Sequence, residues 1–405
     1  MCRGEESNLH KVLSLQVFET CASTIPPPRL KVYFITRRAK IPFIVALIDP
    51  RVVRMAEVLV NDSLKVKKGE SILISADFTA KPLVLELYRL LIKKGAKLVK
   101  VNWDTSELGE IYFKNASKKQ RATFPKLTFT EMKAMDCWIG IHSCLNLKGL
   151  AQINSKFISE RVKVTRPIQD WRVEKTRWVI TNYPCEALAQ EAEMSTSSYE
   201  DFVFSAVCGV DWKKVYRKQE KLRRLLDKTD VVRIISPDTN LSLSIKGRKA
   251  VNAAGENNMP DGEVFTSIVE NSANGYISYT YPAIYMGREF SGVKLTFKNG
   301  KVFEANSEKN ESALNKILNM DSGARFLGEL GIGNNYKINR FSKDILFDEK
   351  IGGSIHLALG KGYKETLSRN HSALHWDMIK DLRNGGELWF DKKMVQKNGH
   401  WLIQL

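Results

Sequence analysis

Five residues in the last third of the chain can bind metal, each in a short segment of unusual composition: Glu263, Glu329, His356, His375 and Asp377. Glu263 follows Pro260-Asp261-Gly262, Glu329 lies in GELGIG at 328–333, His356 follows Gly352-Gly353-Ser354-Ile355, and His375 and Asp377 flank Trp376. Carboxylates and imidazoles together suit borderline divalent cations such as zinc, cobalt or manganese, and suit magnesium less. Two imidazoles and three carboxylates exceed the three protein ligands usual for one catalytic zinc. The set is about right for two ions bridged by a shared carboxylate, which points to metal-assisted hydrolysis.

Each candidate also has a bland reading. Most His-x-Asp pairs are surface residues, and a histidine in a run as apolar as SIHLALG at 354–360 is ordinarily a satisfied core residue. For Glu263 and Glu329 the alternative is a surface loop or a buried salt bridge, since a buried carboxylate is costly unless paired or metal-bound. Ligand roles are favoured because the segments share Gly-bounded settings, and glycine lets backbone approach and turn closely beside a site. Glu349, seven residues before His356, reads as support that orients the ligands. His371 lies beside Arg369 and Asn370 in a polar loop and is read as a non-ligand, while His10, His142 and His400 stand apart from the cluster.

The elements that must position these residues fall into two classes. Residues 71–75, 97–101, 136–141 and 177–181 read as short buried strands, with helices over 51–61 and from Pro82 to Leu91. Strand, helix and strand in close succession make a βαβ unit, so the N-terminal part is α/β with a mostly parallel sheet. Helices are expected over 195–204 and 212–227, and a boundary near Lys228. Beyond it strands dominate: 231–235, 241–245, 276–281, 292–297 and 301–305, the last pair joined by Asn299-Gly300, a strong hairpin signal. Ser312–Leu327 is the one clear helix there, and 372–379 reads as a strand. Side chains two apart in a strand share a face, so His375 and Asp377 can address one ion while Trp376 packs behind. The C-terminal part, 229–405, is expected to be α+β with a mixed or antiparallel sheet carrying a dinuclear metal site, and 48–228 to be the α/β domain.

Length, charge and cysteine bound the rest. The chain has 405 residues, 43% hydrophobic and 27% charged, enough for two or three domains. Residues 1–47 contain Pro26-Pro27-Pro28 and no sustained period; they read as a disordered extension or the product of a start codon placed too far upstream. No apolar run reaches the ~20 residues of a bilayer span, and the scattered cysteines make no Cys-x-x-Cys pair. The expected setting is soluble, reducing and cytoplasmic. The net charge of +18 raises nucleic-acid binding or attraction of acidic substrates. The densest basic stretch, RKQEKLRRLLDK at 217–228, has the spacing of a solvated helix face; neither a nucleic-acid motif nor a membrane segment is expected.

Four ordered segments carry a family resemblance: NNMPDGEVF at 257–265, GELGIG at 328–333, EKIGGSIHLALG at 349–360 and SALHWD at 372–377. EAEMS at 191–195 and YEDF at 199–202 add to it. From about Asp49 onward the chain resembles the thermophilic metalloprotease family of aminopeptidases. The resemblance implies a two-metal aminopeptidase with Glu263, Glu329, His356, His375 and Asp377 as ligands. It makes Glu329 the bridging carboxylate and Tyr363 the catalytic partner. It further implies small peptide substrates and a homodimer that encloses the active sites. Ile268 stands where the family usually shows proline, a change expected to be harmless. Two rivals stay open: another dinuclear hydrolase of phosphoesterase type, and a non-catalytic binding protein.

Overall fold

Four strands early in the chain run in one direction. In the computed structural model, which describes residues 49–405, they are Ser71–Asp77, Leu98–Asp104, Cys137–His142 and Arg177–Asn182. Their order across the sheet is 98–104, 71–77, 137–142, 177–182, all parallel. A short strand from later in the chain, Asn258–Met259, joins the last of them, also parallel. The expectation for residues 1–47 lies outside the described residues.

The sequence dictates these elements locally. Pro50–Glu57 is a helix because Asp49 caps it, its carboxylate accepting from Arg51 N at 2.8 Å, and Pro50 fills a first-turn position that needs no donor. Ser195 caps Thr196–Cys208, its hydroxyl accepting from Ser198 N at 3.2 Å. Both helices bury apolar faces (Met55 and Ala56; Tyr199, Phe202 and Val203) in the same core as Ile72 and Ile74 of the sheet. Phe347 and Ile351, from the segment that leads to His356, enter the same core.

Beyond residue 230 the strands pair antiparallel in two larger sheets. One has eight strands and includes the hairpin Lys294–Lys298 to Lys301–Asn306. Its turn is the expected Asn299-Gly300, both with positive φ (51° and 80°), as a primed hairpin turn requires. The other has five strands in the order His375–Asp381, Ser354–Gly360, Leu327–Gly333, Glu263–Ser267, Ala250–Ala253. Its two central neighbours, 327–333 and 354–360, are buried along their whole length. The architecture is therefore the expected one, a parallel α/β sheet followed by antiparallel sheets.

One local expectation fails and one helix was not foreseen. The helix expected over Ser312–Leu327 is Glu311–Leu318. It ends because Asp321 turns the chain, its carboxylate accepting from Gly323 N, Ser372 Oγ and Ala373 N, and Leu327 already belongs to a strand. The 21-residue helix Ser155–Lys175 was not expected. None of its residues is fully buried, so it has no apolar stripe to read.

Candidate metal centre

The five-stranded sheet has an apolar face and a polar one. Val264, Leu330, Ile332, Ile355, Leu357, Leu359, Trp376 and Met378 point into the core. The alternate positions carry Glu263, Glu329, His356, His375 and Asp377. Antiparallel register then aligns them: Gly331 opposite His356, Gly333 opposite Glu263, Ala358 opposite Asp377 and Gly360 opposite His375. Four strands thus bring together residues up to 114 positions apart, Glu263 to Asp377. Small residues stand opposite each ligand candidate, and at Gly331 this is a requirement. A Cβ there would lie 2.0 Å from His356 Cε1, so only glycine lets the imidazole lie across the neighbouring strand.

The side chains meet. His356 Nε2 lies 3.3 Å from Glu329 Oε1 and 3.5 Å from Glu263 Oε2. His375 Nε2 lies 3.2 Å from Asp377 Oδ2. One ligand atom each from Glu329, His356 and Asp377 lies within 4.8 Å of the others. His375 Nδ1 donates to Lys361 O at 2.6 Å, the outer contact that fixes ring orientation in metal-binding histidines. Tyr363 packs edge-on against His375 and beside Phe265, ring centroids 5.5 Å away in each case.

The donor set fits a cation. Glu263 Oε2, Glu329 Oε2, His356 Nδ1 and Asp377 Oδ1 are buried without a hydrogen-bond partner. Each such group costs about 1–3 kcal/mol when nothing satisfies it, and three of them are carboxylate oxygens, which only accept. Burial opposes the charged form of both imidazoles, but the carboxylates prevail. Glu329 and Glu263 hold His356 at about 10, and Asp377 holds His375 at about 10. Burial also acts against ionised Asp377, yet His375 and His356 draw it down to about 2. Burial raises Glu329. Partial burial and then the neighbouring carboxylates push the Tyr363 phenol up, so its hydroxyl stays protonated and can donate.

Two charged residues missed by sequence reasoning complete the cluster. Lys350 is fully buried, its Nζ 3.2 Å from Glu263 Oε1 and paired with Glu349 Oε2. Burial disfavours its charge, but Glu263, Glu349 and Asp261 more than offset this and hold its pKa well above the ordinary value. Asp261 is buried too, accepting from Gly255 N at 2.7 Å and Gly262 N at 2.9 Å. Both stand inside quoted motifs, next to Glu349 and one before Gly262; a lysine in sequence reads as exposed by default. Glu349, read as support behind the ligands, faces the same cavity as Glu263 and Glu329. That cavity has a volume of about 350 Å³, with walls that include Trp178, Val251, Phe265 and Tyr363.

A model of the family described as thermophilic metalloprotease matches residues 48–401. The chain belongs to that family. This family of metal-dependent peptide hydrolases is the one the sequence resembles. Among its relatives, aminopeptidase 2 of Geobacillus stearothermophilus is 26% identical over 406 aligned positions, covering 87% of this chain and 98% of that protein. The solved structure of wild-type AmpT from Thermus thermophilus superposes with a TM-score of 0.79 at 21% identity, covering 87% of this chain and 99% of that one. A 2,5-dihydroxypyridine dioxygenase from Pseudomonas putida superposes with a TM-score of 0.54 at 13% identity, covering 87% and 96%. Likeness at these identities establishes the fold alone, and one fold can host unrelated chemistries. Among the described residues no helix is long and apolar enough to cross a membrane.

Proposed function

We propose that this metalloprotease-family member is an aminopeptidase that removes N-terminal residues from small peptides with two divalent ions, zinc, cobalt or manganese, held by Glu263, Glu329, His356, His375 and Asp377. The observation that carries the reading is the convergence of these side chains on one face of a sheet, with buried donor atoms left unsatisfied. The charge count favours a pair of ions. With both imidazoles neutral, as metal ligation requires, and the acids ionised, five carboxylates (the three candidate ligands with Glu349 and Asp261) against one ammonium, Lys350, leave four negative charges. Two divalent ions neutralise that sum.

When bound, such ions lower the pKa of water toward ~7 and polarise a carbonyl. The chain's own groups do the rest. Glu329, central in the cluster beside His356, would help hold the ions and would accept a proton from the water they activate. The Tyr363 hydroxyl donates a hydrogen bond to the oxygen on which negative charge develops. The Lys361 carbonyl holds the His375 ring in place through Nδ1.

The cavity speaks against the phosphoesterase rival. Glu256, Asp261, Glu263, Glu329, Glu349 and Glu365 line it, and none of the lining residues is Lys or Arg. With the ions bound, Glu256 and Glu365 are the acids of the wall left unneutralised, and no Lys or Arg is present to clamp a phosphate ester despite the net charge of +18. A homodimer enclosing the sites belongs to the same reading. So does a cytoplasmic setting, in keeping with free Cys137, Cys144, Cys185 and Cys208.

The experiment pairs metal analysis with turnover of an aminoacyl-anilide by wild type and Glu329→Gln. Wild type should be active, lose activity to a chelator and regain it with metal, and leave a phosphate ester intact. Unchanged hydrolysis by Glu329→Gln would remove the proposed centre.

A further inference from the structure

Lys350 carries an ammonium into the acid cluster without reaching solvent or lining the cavity. It is 0% exposed, and it contacts Glu263 through one carboxylate oxygen and Glu349 through another. Folding alone does not call for it. Desolvating an ammonium costs several kcal/mol, and a well-packed apolar side chain often serves stability equally well or better. The main chain is also fixed without the side chain. Lys350 N donates to Phe347 O at 2.9 Å and Asn335 N donates to Lys350 O at 3.0 Å. Asn335 Nδ2 in turn donates to Asp261 O at 3.0 Å.

The ammonium therefore occupies a set point between two carboxylates that both border the candidate centre. Glu263 gives it Oε1 and keeps Oε2, which has no hydrogen-bond partner and lies 3.5 Å from His356 Nε2. Glu349 lines the same cavity as Glu263 and Glu329, so it is a further carboxylate within the neighbourhood of the ions. Nothing in the residue types separates Glu349 from the ligand glutamates, and Lys350 holds Glu263 as well; the difference is that Glu263 and Glu329 each turn an oxygen toward His356 Nε2, at 3.5 and 3.3 Å, whereas Glu349 turns Oε2 to the ammonium.

We propose that Lys350 is the positioning residue that decides which carboxylates of this cluster are ligands: by holding Glu263 through Oε1 it presents Oε2 alone to the ions, and by pairing with Glu349 it keeps that carboxylate out of the metal shell. The inference rests on the two-ion reading above. Lys350 touches no substrate and acts only through its partners.

The test is Co²⁺ titration of the metal-depleted full-length protein, followed by calorimetry and by the visible absorption of the bound ion. Wild type should take up two ions per chain. In Lys350→Met one of the two sites should weaken about 10–100-fold, the range typical for lost outer contacts of a metal ligand. The absorption band should change with the altered ligand set while the other site keeps its affinity. A folded Lys350→Met with both sites and the wild-type spectrum overturns the proposal. Glu349→Gln leaves Glu263 held by Lys350 and should keep both sites and the wild-type spectrum. Loss of a site there would make Glu349 a ligand and overturn the proposal as well, whether or not Lys350→Met folds. Wild type with no Co²⁺ uptake would remove the two-ion reading itself. Two wild-type sites with no effect of Lys350→Met would remove only the role of Lys350.

Discussion

Tyr363 and Gly331 make opposite kinds of contribution, one through a hydroxyl and the other through the lack of a side chain. Tyr363 contacts Phe265 and His375 with its ring, so Tyr363→Phe keeps the packing and removes only the donor. Steady-state kinetics should show kcat lowered by about 10²–10³ with KM little changed; wild-type kcat would refute an oxyanion role. Gly331→Ala places a methyl 2.0 Å from His356 Cε1 and forces the imidazole aside. The folded variant should bind less metal than wild type at equal free metal concentration. Equal uptake would mean that His356 is not a ligand. The candidate ligands were legible in the sequence because histidine and acid in apolar, Gly-bounded runs are unusual. Lys350 and Asp261 were not legible, because their types are ordinary on surfaces and only packing reveals that both are enclosed.

At the scale of elements, the sheet face is what turns five separate residues into a cluster, and its stability comes from the opposite face. Leu330 is 0% exposed on that apolar face, so Leu330→Ala should cost about 2–5 kcal/mol, read from chemical denaturation. A loss below 1 kcal/mol would mean the sheet does not pack as described. The outermost site strand, His375–Asp381, is fixed at its far end by Asp381, which accepts from Tyr281 at 2.8 Å and is clasped by Arg383. Burial works against the Asp381 carboxylate, but Arg383 outweighs it and keeps the pKa below the ordinary value. A carboxylate depressed in the folded state stabilises above its unfolded pKa and loses that effect as pH falls through the folded one. Asp381→Asn should therefore be less stable than wild type at neutral pH, with the two converging below about pH 4; a pH-independent difference would contradict this. Strand positions in the parallel sheet and the Asn299-Gly300 hairpin could be read because short apolar runs and turn residues carry local signals. The alignment of 263–267, 327–333, 354–360 and 375–381 could not, since register depends on contacts distant in sequence. The helix 155–175 escaped for the reason already given: it buries no complete side chain.

At the scale of the whole molecule, charge is distributed against the simplest reading of composition. The chain carries 63 basic and 45 acidic residues, yet the cavity wall is acidic and has no Lys or Arg. Net charge says little about the field inside a cleft, where nearby groups dominate over screened distant ones. Peptides rich in Asp and Glu should thus be cleaved with lower kcat/KM than neutral ones of equal length, and the gap should narrow as salt rises. A preference for acidic peptides would reverse the argument. The sequence made both the family and its chemistry readable, while the sign of the cavity had to await the fold.

The central claim is that five side chains from four strands enclose two cations. Its most direct measurement is anomalous diffraction from crystals of the metal-loaded protein, at the absorption edge of the ion supplied. Two peaks per chain, within coordination distance of Glu263, Glu329, His356, His375 and Asp377, are the predicted result. No peak there, or peaks bound by other residues, would contradict the account.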